Sequence, residues 1–213
     1  MGGFFSFEGI EASGKTTVAK GIAARLRADR REVLSLDEFG AAESRRPIDE
    51  ALSRSPFISE GFAAGPRSAL LYMLYHEVTK AVPALAASAP SGVVMADRYV
   101  DSICVYQGLF LPGVDPAHGV LRLARKIEGL LYEARVRLPM TTYLLDIPSD
   151  LSAKRRAHRG DPQFTSAQER LVRDIRTSYL ALAEASDRFV VIDARESLQH
   201  VIETVYQDLS RRI

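Results

Sequence analysis

A glycine-rich loop near the N-terminus carries a lysine and a threonine at the spacing that binds phosphate. It follows the apolar run at residues 4–7 and consists of Gly9, Ile10, Glu11, Ala12, Ser13, Gly14, Lys15 and Thr16, with Thr17 opening a helical pattern. The glycines let backbone N–H groups turn toward phosphate oxygens, Lys15 can reach terminal phosphates, and the Thr16 hydroxyl can hold Mg²⁺. An ordinary glycine turn is the alternative, but the preceding strand and following helix favour a nucleoside triphosphate site.

A second charged pair, Asp97 and Arg98, directly follows the apolar run at 93–96. An aspartate at the end of a buried strand is well placed to hold Mg²⁺, directly or through water, and an arginine beside it can bind phosphate oxygens as a fork. The alternatives are an N-cap role for Asp97 and an ion pair of Arg98 with Asp97 or Glu38. We favour the metal and phosphate roles because Mg²⁺ and the phosphate that it accompanies would then bind at neighbouring residues.

A basic stretch at 154–159 forms the third candidate. Arg155 and Arg159 are four residues apart, so one helix face can present both guanidinium groups. Gly160 and Pro162 break the helix, which predicts a closing lid at about 149–166. A solvated basic face without function is the alternative.

These cations predict phosphoryl transfer between two phosphate-bearing ligands, because such a reaction must offset several negative charges. An acceptor phosphate is largely dianionic at pH 7 and needs no catalytic base. The four histidines are scattered along the chain. A hydroxyl acceptor would instead require a carboxylate base, for which Glu38 is the candidate.

The elements that must position these residues alternate between short apolar runs and longer helical patterns. Strands are predicted at 4–7, 33–36, 93–96, 141–147 and 189–192, and helices at 16–28, near 47–53, and at 67–86, 100–107, 116–134, 149–158, 166–185 and 198–210. This order predicts an α/β fold with a parallel sheet covered by helices on both faces. Ligands of such sheets bind beyond the carboxyl ends of the strands, where the charged residues above lie.

Length, charge and cysteine content narrow the class of protein. The 213 residues contain no dividing linker or repeat, so we expect one domain over 1–213. A net charge of +1 argues against a nucleic-acid or membrane coat, and small ligands are the expected partners. The single Cys104 is expected to pack in the core. Without a secretion signal or a long apolar run, a cytoplasmic protein is expected.

Two stretches together resemble the thymidylate kinase family, whose members move the terminal phosphate of ATP to dTMP. They are FEGIEASGKTT at 7–17 and DRYVDSICVYQG at 97–108, with weaker similarity at 143–147, in the basic lid and at 176–183. The resemblance implies a P-loop kinase fold with a five-stranded parallel sheet, ATP and a nucleoside monophosphate as ligands, Mg²⁺ as cofactor, and a homodimer.

The resemblance also implies roles for individual residues. Glu11 is expected near the acceptor nucleotide and Arg98 on its phosphate, with Ser102, Gln107 and Tyr179 lining the acceptor pocket. Members carry a catalytic arginine either in the loop or in the lid. Ala12 occupies the loop position, so the chain resembles the lid-arginine type, with Arg155 or Arg159 as the catalytic cation.

Two departures concern the acceptor site. The family usually has Arg-Glu-Pro-Gly after the second strand, and this chain has Asp37, Glu38, Phe39 and Gly40, with Arg45 or Arg46 as replacements for an arginine on the acceptor phosphate. The family also carries phenylalanine and, four residues later, arginine against the base, for which we place Tyr72 and His76. Core packing of this helix is the alternative.

Besides a nucleoside kinase, which would need a base for its hydroxyl acceptor, three functions remain open from the sequence. The first is an ATP- and Mg²⁺-dependent nucleoside monophosphate kinase acting on dTMP. A kinase for another pyrimidine nucleotide, such as dUMP or a modified deoxynucleotide, is the variant suggested by His76 and by the segment from Asp37 to Gly40. An ATP-binding regulator without transfer activity is the alternative from another class.

Overall fold

Five parallel strands form one sheet in the computed structural model, which describes residues 3–38 and 45–213. They are β1 (Gly3–Glu8), β2 (Val33–Leu36), β3 (Val93–Asp97), β4 (Thr141–Asp146) and β5 (Phe189–Asp193). The strand order is β2-β3-β1-β4-β5, and every neighbouring pair is parallel. The predicted α/β fold is therefore confirmed.

The central and outer strands differ in burial. All residues of β1 and β3 are buried, as are the first five of β4, so their continuous apolar runs are covered on both faces. The outer strands β2 and β5 leave Leu34 37% and Val191 49% exposed. A strand at a sheet edge has fewer neighbours, so the expectation of burial on both faces holds for the centre of the sheet only.

The helices follow the predicted order with shifts of one or two residues at their ends. They are α1 (Lys15–Ala28), α2 (Arg46–Leu52), α3 (Ile58–Gly61), α4 (Gly65–Ala87), α5 (Val100–Ser102), α6 (His118–Glu133), α7 (Ser149–His158), α8 (Ser166–Ala185) and α9 (Leu198–Ser210). The short α3 was not predicted. Within the described ranges, none of these helices is long and apolar enough to cross a membrane.

Parallel neighbouring strands require crossover connections, and these place helices on both faces of the sheet. On one face α1 packs against α9, and on the other α4, α6 and α8 surround the segment Ile103–Gln107. That segment is a π-helix rather than the continuation of α5 into the predicted α-helix at 100–107. Ile103, Tyr106 and Gln107 of this segment, together with Ser102 before it, border the same cavity.

The register of the sheet brings the predicted functional residues together. Phe7 of β1 lies beside Asp97 of β3 on one side and beside Tyr143 of β4 on the other. The loop that follows β1 therefore emerges next to Asp97 and Arg98, at the carboxyl edge of the sheet.

A buried ion pair joins this region to β5. Arg188 donates to Asp101 at 2.5 and 2.7 Å, to Glu128 at 2.7 Å and to Thr142 at 2.6 Å. Thr142 and Ser6 share a further hydrogen bond of 2.9 Å. Asp101 is 1% exposed, so its charge depends on Arg188 for compensation.

We expect the substitution Asp101→Ala to lower the free energy of unfolding by about 3 kcal/mol, because it leaves Arg188, whose side chain is only 13% exposed, with an incomplete set of partners. Urea denaturation followed by circular dichroism measures this change. Glu203→Ala is the matched control, since it breaks the Arg25–Glu203 pair, whose side chains are 36% and 41% exposed. A control loss as large as that of Asp101→Ala would contradict the assignment of stability to the buried pair.

Candidate active site

The loop between β1 and α1 adopts backbone conformations that depend on its glycines. Gly9 has φ 140° and Gly14 has φ 100°. A Cβ atom on Gly9 would lie 2.6 Å from the backbone oxygen of Leu145, so a side chain is excluded there. The loop closes around Lys15, whose Nζ donates to the backbone oxygen of Ile10 at 2.9 Å and to Ser13 Oγ at 3.4 Å.

Lys15 is 6% exposed. Burial, with a further contribution from the positive charge of Arg98, lowers the pKa of Lys15 to about 8. The ammonium group therefore lies in surroundings that an anion would stabilise. The N-terminus of α1, which begins at this residue, adds partial positive charge at the same place.

Thr16 and Asp97 form the candidate Mg²⁺ site. The Thr16 hydroxyl donates to Asp97 Oδ2, while Asp97 Oδ1 is buried and has no hydrogen-bond partner within residues 3–38 and 45–213. Hydroxyl and carboxylate oxygens are ligands that Mg²⁺ accepts, with phosphate and water completing its shell. These residues fit the ion. The N-cap position of α5 belongs to Tyr99 and has no side-chain cap, so Asp97 does not cap that helix.

Arg98 is 8% exposed and has a left-handed backbone conformation, with φ 65°. Its Nε lies 2.7 Å from Glu38 Oε1, which is one of the ion pairs considered from the sequence. The two Nη atoms donate to Gly9 O at 3.1 Å, Ser102 Oγ at 3.0 Å, Tyr179 OH at 3.2 Å and Tyr106 OH at 3.3 Å. The guanidinium group is thereby held in one orientation beside the phosphate loop.

Glu8 is a member of this cluster that sequence reasoning missed. It accepts hydrogen bonds from the Tyr99 backbone N–H at 2.8 Å, Ser102 Oγ at 2.5 Å and Tyr179 OH at 2.9 Å. Burial, and then the charge of Asp101, raises the pKa of Glu8 to about 7, against the opposing effect of Arg98. The feature of the sequence that could have identified Glu8 is a carboxylate at the end of an otherwise apolar strand.

A cavity of about 330 Å³ opens on one side of the loop, beside Arg98. The predicted acceptor-site residues that line it are Glu11, Glu38, Arg98, Ser102 and Gln107. The remaining described wall is mainly apolar and consists of Leu52, Pro56, Phe57, Ile58, Met73, Glu77, Tyr99, Ile103, Tyr106 and Val172. A mainly apolar cleft with a few convergent polar groups is typical of a small-molecule site.

The face of α4 that borders this cavity carries Met73 and Glu77, at the four-residue spacing expected for Tyr72 and His76. Tyr72 and His76 are not among the described lining residues. Tyr72 packs against Phe62, with ring centroids 5.5 Å apart, and His76 is fully buried, which lowers its pKa. Our assignment of Tyr72 and His76 to the base stays a prediction. One step along a helix turns a side chain by about 100°, so the neighbouring positions Met73 and Glu77 border the cavity in this structure.

The other predicted acceptor residues lie away from the described cavity wall. Tyr179 is 1% exposed, and its hydroxyl accepts a hydrogen bond from Arg98 at 3.2 Å. Arg45 pairs with Asp49 at 3.0 Å at the exposed start of α2. Phe39 lies outside the described residues.

The basic segment packs over the phosphate loop. Ser152 Oγ donates to Glu11 O at 2.7 Å. Arg155 donates to Ala12 O at 3.2 Å and to Ala194 O at 2.9 Å. Arg159 lies 3.4 Å from a Glu11 carboxylate oxygen and 2.6 Å from Asp161. Both arginines therefore reach the loop, but they contact different parts of it.

Arg156 is an additional loop contact that the sequence did not single out. It is 6% exposed, pairs with Glu11, donates to Pro162 O at 2.7 Å, and places its guanidinium carbon 3.7 Å from the centre of the Phe164 ring. The break after α7 is thus held against the loop by a buried cation.

A second cavity lies on the opposite side of the loop, next to α1. Its described walls comprise Ala12, Ser13, Gly14, Thr17, Val18, Lys154, Arg155, His158, Arg159, Ala194, Glu196, Leu198 and Val201. The loop therefore separates two cavities, and the buried Lys15 and Arg98 lie at the loop between them. This arrangement can hold two anionic ligands with their phosphates facing each other.

Comparison with known proteins agrees with this geometry. A family model described as "Thymidylate kinase" matches residues 7–205. Proteins named thymidylate kinase from Caulobacter vibrioides and Geobacter sulfurreducens are 31% and 33% identical, with alignments that cover 100% of this chain and 98% and 99% of those proteins. One from Latilactobacillus sakei is 32% identical, over 99% of this chain and 96% of that protein. The chain belongs to the thymidylate kinase family.

Proposed function

We propose that this chain transfers the terminal phosphoryl group of ATP to a pyrimidine nucleoside monophosphate, with dTMP as the principal acceptor and dTDP as the product. The observation that carries the proposal is the position of Arg98, a buried cation that borders the acceptor-side cavity beside the phosphate loop. The names of the relatives add support for dTMP. A panel of monophosphates incubated with ATP, Mg²⁺ and purified protein tests it, and the absence of any diphosphate would reject it.

The two cavities are assigned to the two substrates. ATP occupies the cavity beside α1, with its phosphates along the loop at 9–17, and the monophosphate occupies the cavity beside Arg98. Backbone N–H groups of the loop and the N-terminus of α1 bind the donor phosphates. This places the reacting phosphates near Lys15, which orients them and offsets their charge.

The reaction requires no base from the protein. An oxygen of the acceptor phosphate, already a dianion near pH 7, forms a bond to the terminal phosphorus of ATP while the bond to the bridging oxygen breaks and ADP leaves. Lys15, Arg98 and the lid arginines stabilise the charge on the transferred group.

A kinase that phosphorylates a sugar hydroxyl is less well supported. Its base would be Glu38, but that carboxylate lies 2.7 Å from Arg98 Nε and is engaged by it. An ATP-binding regulator is also less well supported, since it has no need for a buried arginine facing a second cavity.

We assign Thr16 and Asp97 as the residues that hold Mg²⁺, because the buried Asp97 Oδ1 lacks a described hydrogen-bond partner. When bound, the ion would neutralise charge on the phosphates of ATP. The protein's own contribution is to orient these two oxygens through the hydrogen bond between them.

Residues 149–166 are proposed to act as the lid of one kinase domain that covers 1–213. In support of this role, the segment contacts Glu11, Ala12 and Ala194 and so lies over the phosphate loop. Arg155 and Arg159 are the proposed catalytic cations, and Arg156 is proposed to hold Glu11 and so to set the position of the lid.

A homodimer is proposed as the assembly. The support is an apolar strip on α4, where Leu71, Tyr75 and Val82 are 66%, 59% and 44% exposed. A cytoplasmic location is the corresponding proposal, supported by the need for ATP.

Replacing Arg98 by Lys should lower kcat/KM for the monophosphate by about a hundredfold, because a lysine cannot reproduce the fork that contacts phosphate. The dissociation constant of ATP, measured by calorimetry, should change little. Arg25→Lys, at an exposed arginine on α1, is the control and should retain wild-type kinetics. An equal loss of ATP affinity would contradict the assignment of Arg98 to the acceptor.

Substitution of either Arg155 or Arg159 by Ala should reduce kcat far more than ATP affinity, because a transition-state cation acts on charge that develops during transfer. Single-turnover kinetics and equilibrium ATP binding measure the two quantities. Arg211→Ala, at an arginine that lines neither cavity and has a side chain 71% exposed, is the matched control. Parallel loss of turnover and ATP affinity would argue against the lid role.

ATP affinity should fall as pH rises above about 8, where Lys15 loses its proton in the free protein. Bound phosphate favours the charged form, so binding takes up a proton, and the limiting slope is about tenfold in affinity per pH unit. Calorimetry in buffers with different ionisation enthalpies detects this uptake. Lys15→Met should abolish it, and proton uptake that persists in this variant would assign the effect to another group.

A further inference from the structure

The segment that follows β2 carries Glu38, the carboxylate that pairs with Arg98 Nε at 2.7 Å. Strand β2 has only four residues and lies at the edge of the sheet, and its register with β3 ends at Leu36, opposite Ala96. The pairing of the sheet therefore stops before Glu38, whose side chain is 34% exposed. A long side chain on such a segment keeps one orientation only if other contacts hold the backbone that carries it.

Lys80, on α4, supplies such contacts. Its Nζ donates to the backbone oxygens of Asp37 at 2.8 Å and Glu38 at 3.0 Å, which lie 43 and 42 positions away in the sequence. A third hydrogen bond, of 2.8 Å, goes to Glu77 Oε1. An ammonium group has three hydrogens, so these three acceptors use all of them. Lys80 therefore joins α4 to the backbone on both sides of the peptide bond before Glu38.

The pair of Lys80 and Glu77 is buried, with side chains 8% and 3% exposed. A buried ammonium group needs a negative partner close by, and Glu77 provides it from three residues earlier on the same helix. Helix α4 spans 23 residues and packs against the segment Ile103–Gln107. The ammonium group is thus anchored to a long, packed helix, and Glu77 serves to hold it there.

Lys80 is not among the described residues that border the acceptor-side cavity, so any effect on a ligand there passes through other residues. Its ammonium group contacts the backbone of Glu38, and the Glu38 side chain contacts Arg98. Glu38 and Arg98 both border the cavity. A single residue therefore connects Lys80 to the cation assigned to the acceptor phosphate.

We propose that Lys80 is a positioning residue of the acceptor site: it holds the chain at Asp37 and Glu38, and the Glu38 carboxylate in turn orients Arg98. The inference rests on the proposed function, in which Arg98 binds the acceptor phosphate. A guanidinium group that is already held in one orientation loses less conformational entropy when phosphate binds. Removal of the ammonium group should therefore weaken binding of the monophosphate while the ATP site stays intact.

The first test is Lys80→Met, which removes the ammonium group and keeps a side chain of similar length. We expect KM for dTMP to rise about tenfold, with kcat and the dissociation constant of ATP changed by less than about threefold. Steady-state kinetics at saturating ATP and calorimetry measure these quantities. Lys126→Met, at an exposed lysine on α6, is the matched control and should retain wild-type values. An unchanged KM for dTMP, or an equal loss of ATP affinity, would overturn the proposal.

A second variant separates positioning from charge compensation. Lys80→Met leaves the Glu77 carboxylate buried without its cation, which by itself destabilises the protein. Adding Glu77→Gln to Lys80→Met removes that charge. We expect this double variant to keep the raised KM for dTMP, because it also lacks the ammonium group. A KM that returns to the wild-type value would assign the loss to the uncompensated carboxylate and overturn the positioning role.

The connection through Glu38 is tested by combining Lys80→Met with Glu38→Gln. Glu38→Gln alone should raise KM for dTMP, and Lys80→Met should then add less than about a further twofold, since residues that act through one another have non-additive effects. A general loss of structure would instead make the two effects multiply. Full additivity in free energy would therefore contradict a role of Lys80 through Glu38.

The wild-type protein distinguishes failure of this inference from failure of the proposed function. If it forms no dTDP from dTMP and ATP, the kinase function is rejected, and the inference with it. If it forms dTDP and Lys80→Met has the same kinetics as Lys126→Met, only the positioning role of Lys80 is overturned.

Discussion

A buried guanidinium group needs hydrogen-bond acceptors around it. The acceptors of Arg98 come from most of the elements that form the candidate site. Its partners come from the phosphate loop, the segment after β2, the turn after β3 and helix α8, through Gly9, Glu38, Ser102 and Tyr179. Glu8 adds a carboxyl group to the same cluster. The orientation of this guanidinium group therefore depends on the whole carboxyl edge of the sheet, because no single element supplies enough partners.

The order of strands in the parallel sheet places a second group of charged residues on the other side of the phosphate loop. Since β1 lies between β3 and β4, the loop after β1 passes between Asp97 and the helices that follow β4. One face of the loop borders the cavity of Arg98, and the other borders the cavity of Arg155. The match to the thymidylate kinase family model, over residues 7–205, includes the loop and most of the residues that border both cavities. The absence of a loop arginine, at Ala12, is matched by three arginines of the α7 segment that contact the same loop.

Helix α4 forms the wall of the cavity that contains Met73 and Glu77. Helix α4 turns Met73 and Glu77 toward the cavity and packs Tyr72 against Phe62. Glu77 remains charged or neutral according to the balance between burial and Lys80, and Lys80 in turn depends on backbone oxygens after β2. This wall of the cavity is thus linked through Lys80 to the segment that also supplies Glu38 to Arg98.

The sequence by itself determined the order of strands and helices, the phosphate loop and the pair Asp97 and Arg98, because these depend on local periodicity and on fixed spacing within a few residues. It could not determine which face of α4 borders the cavity, since most residues of that helix are apolar and a one-residue change of register leaves the pattern nearly unaltered. Nor could it assign Glu8 or Arg156, whose partners are distant in the chain: Tyr179 and Ser102 for Glu8, and Glu11 for Arg156. Only the tertiary structure decided these, because burial and charge compensation are set by packing between elements, which sequence spacing does not encode.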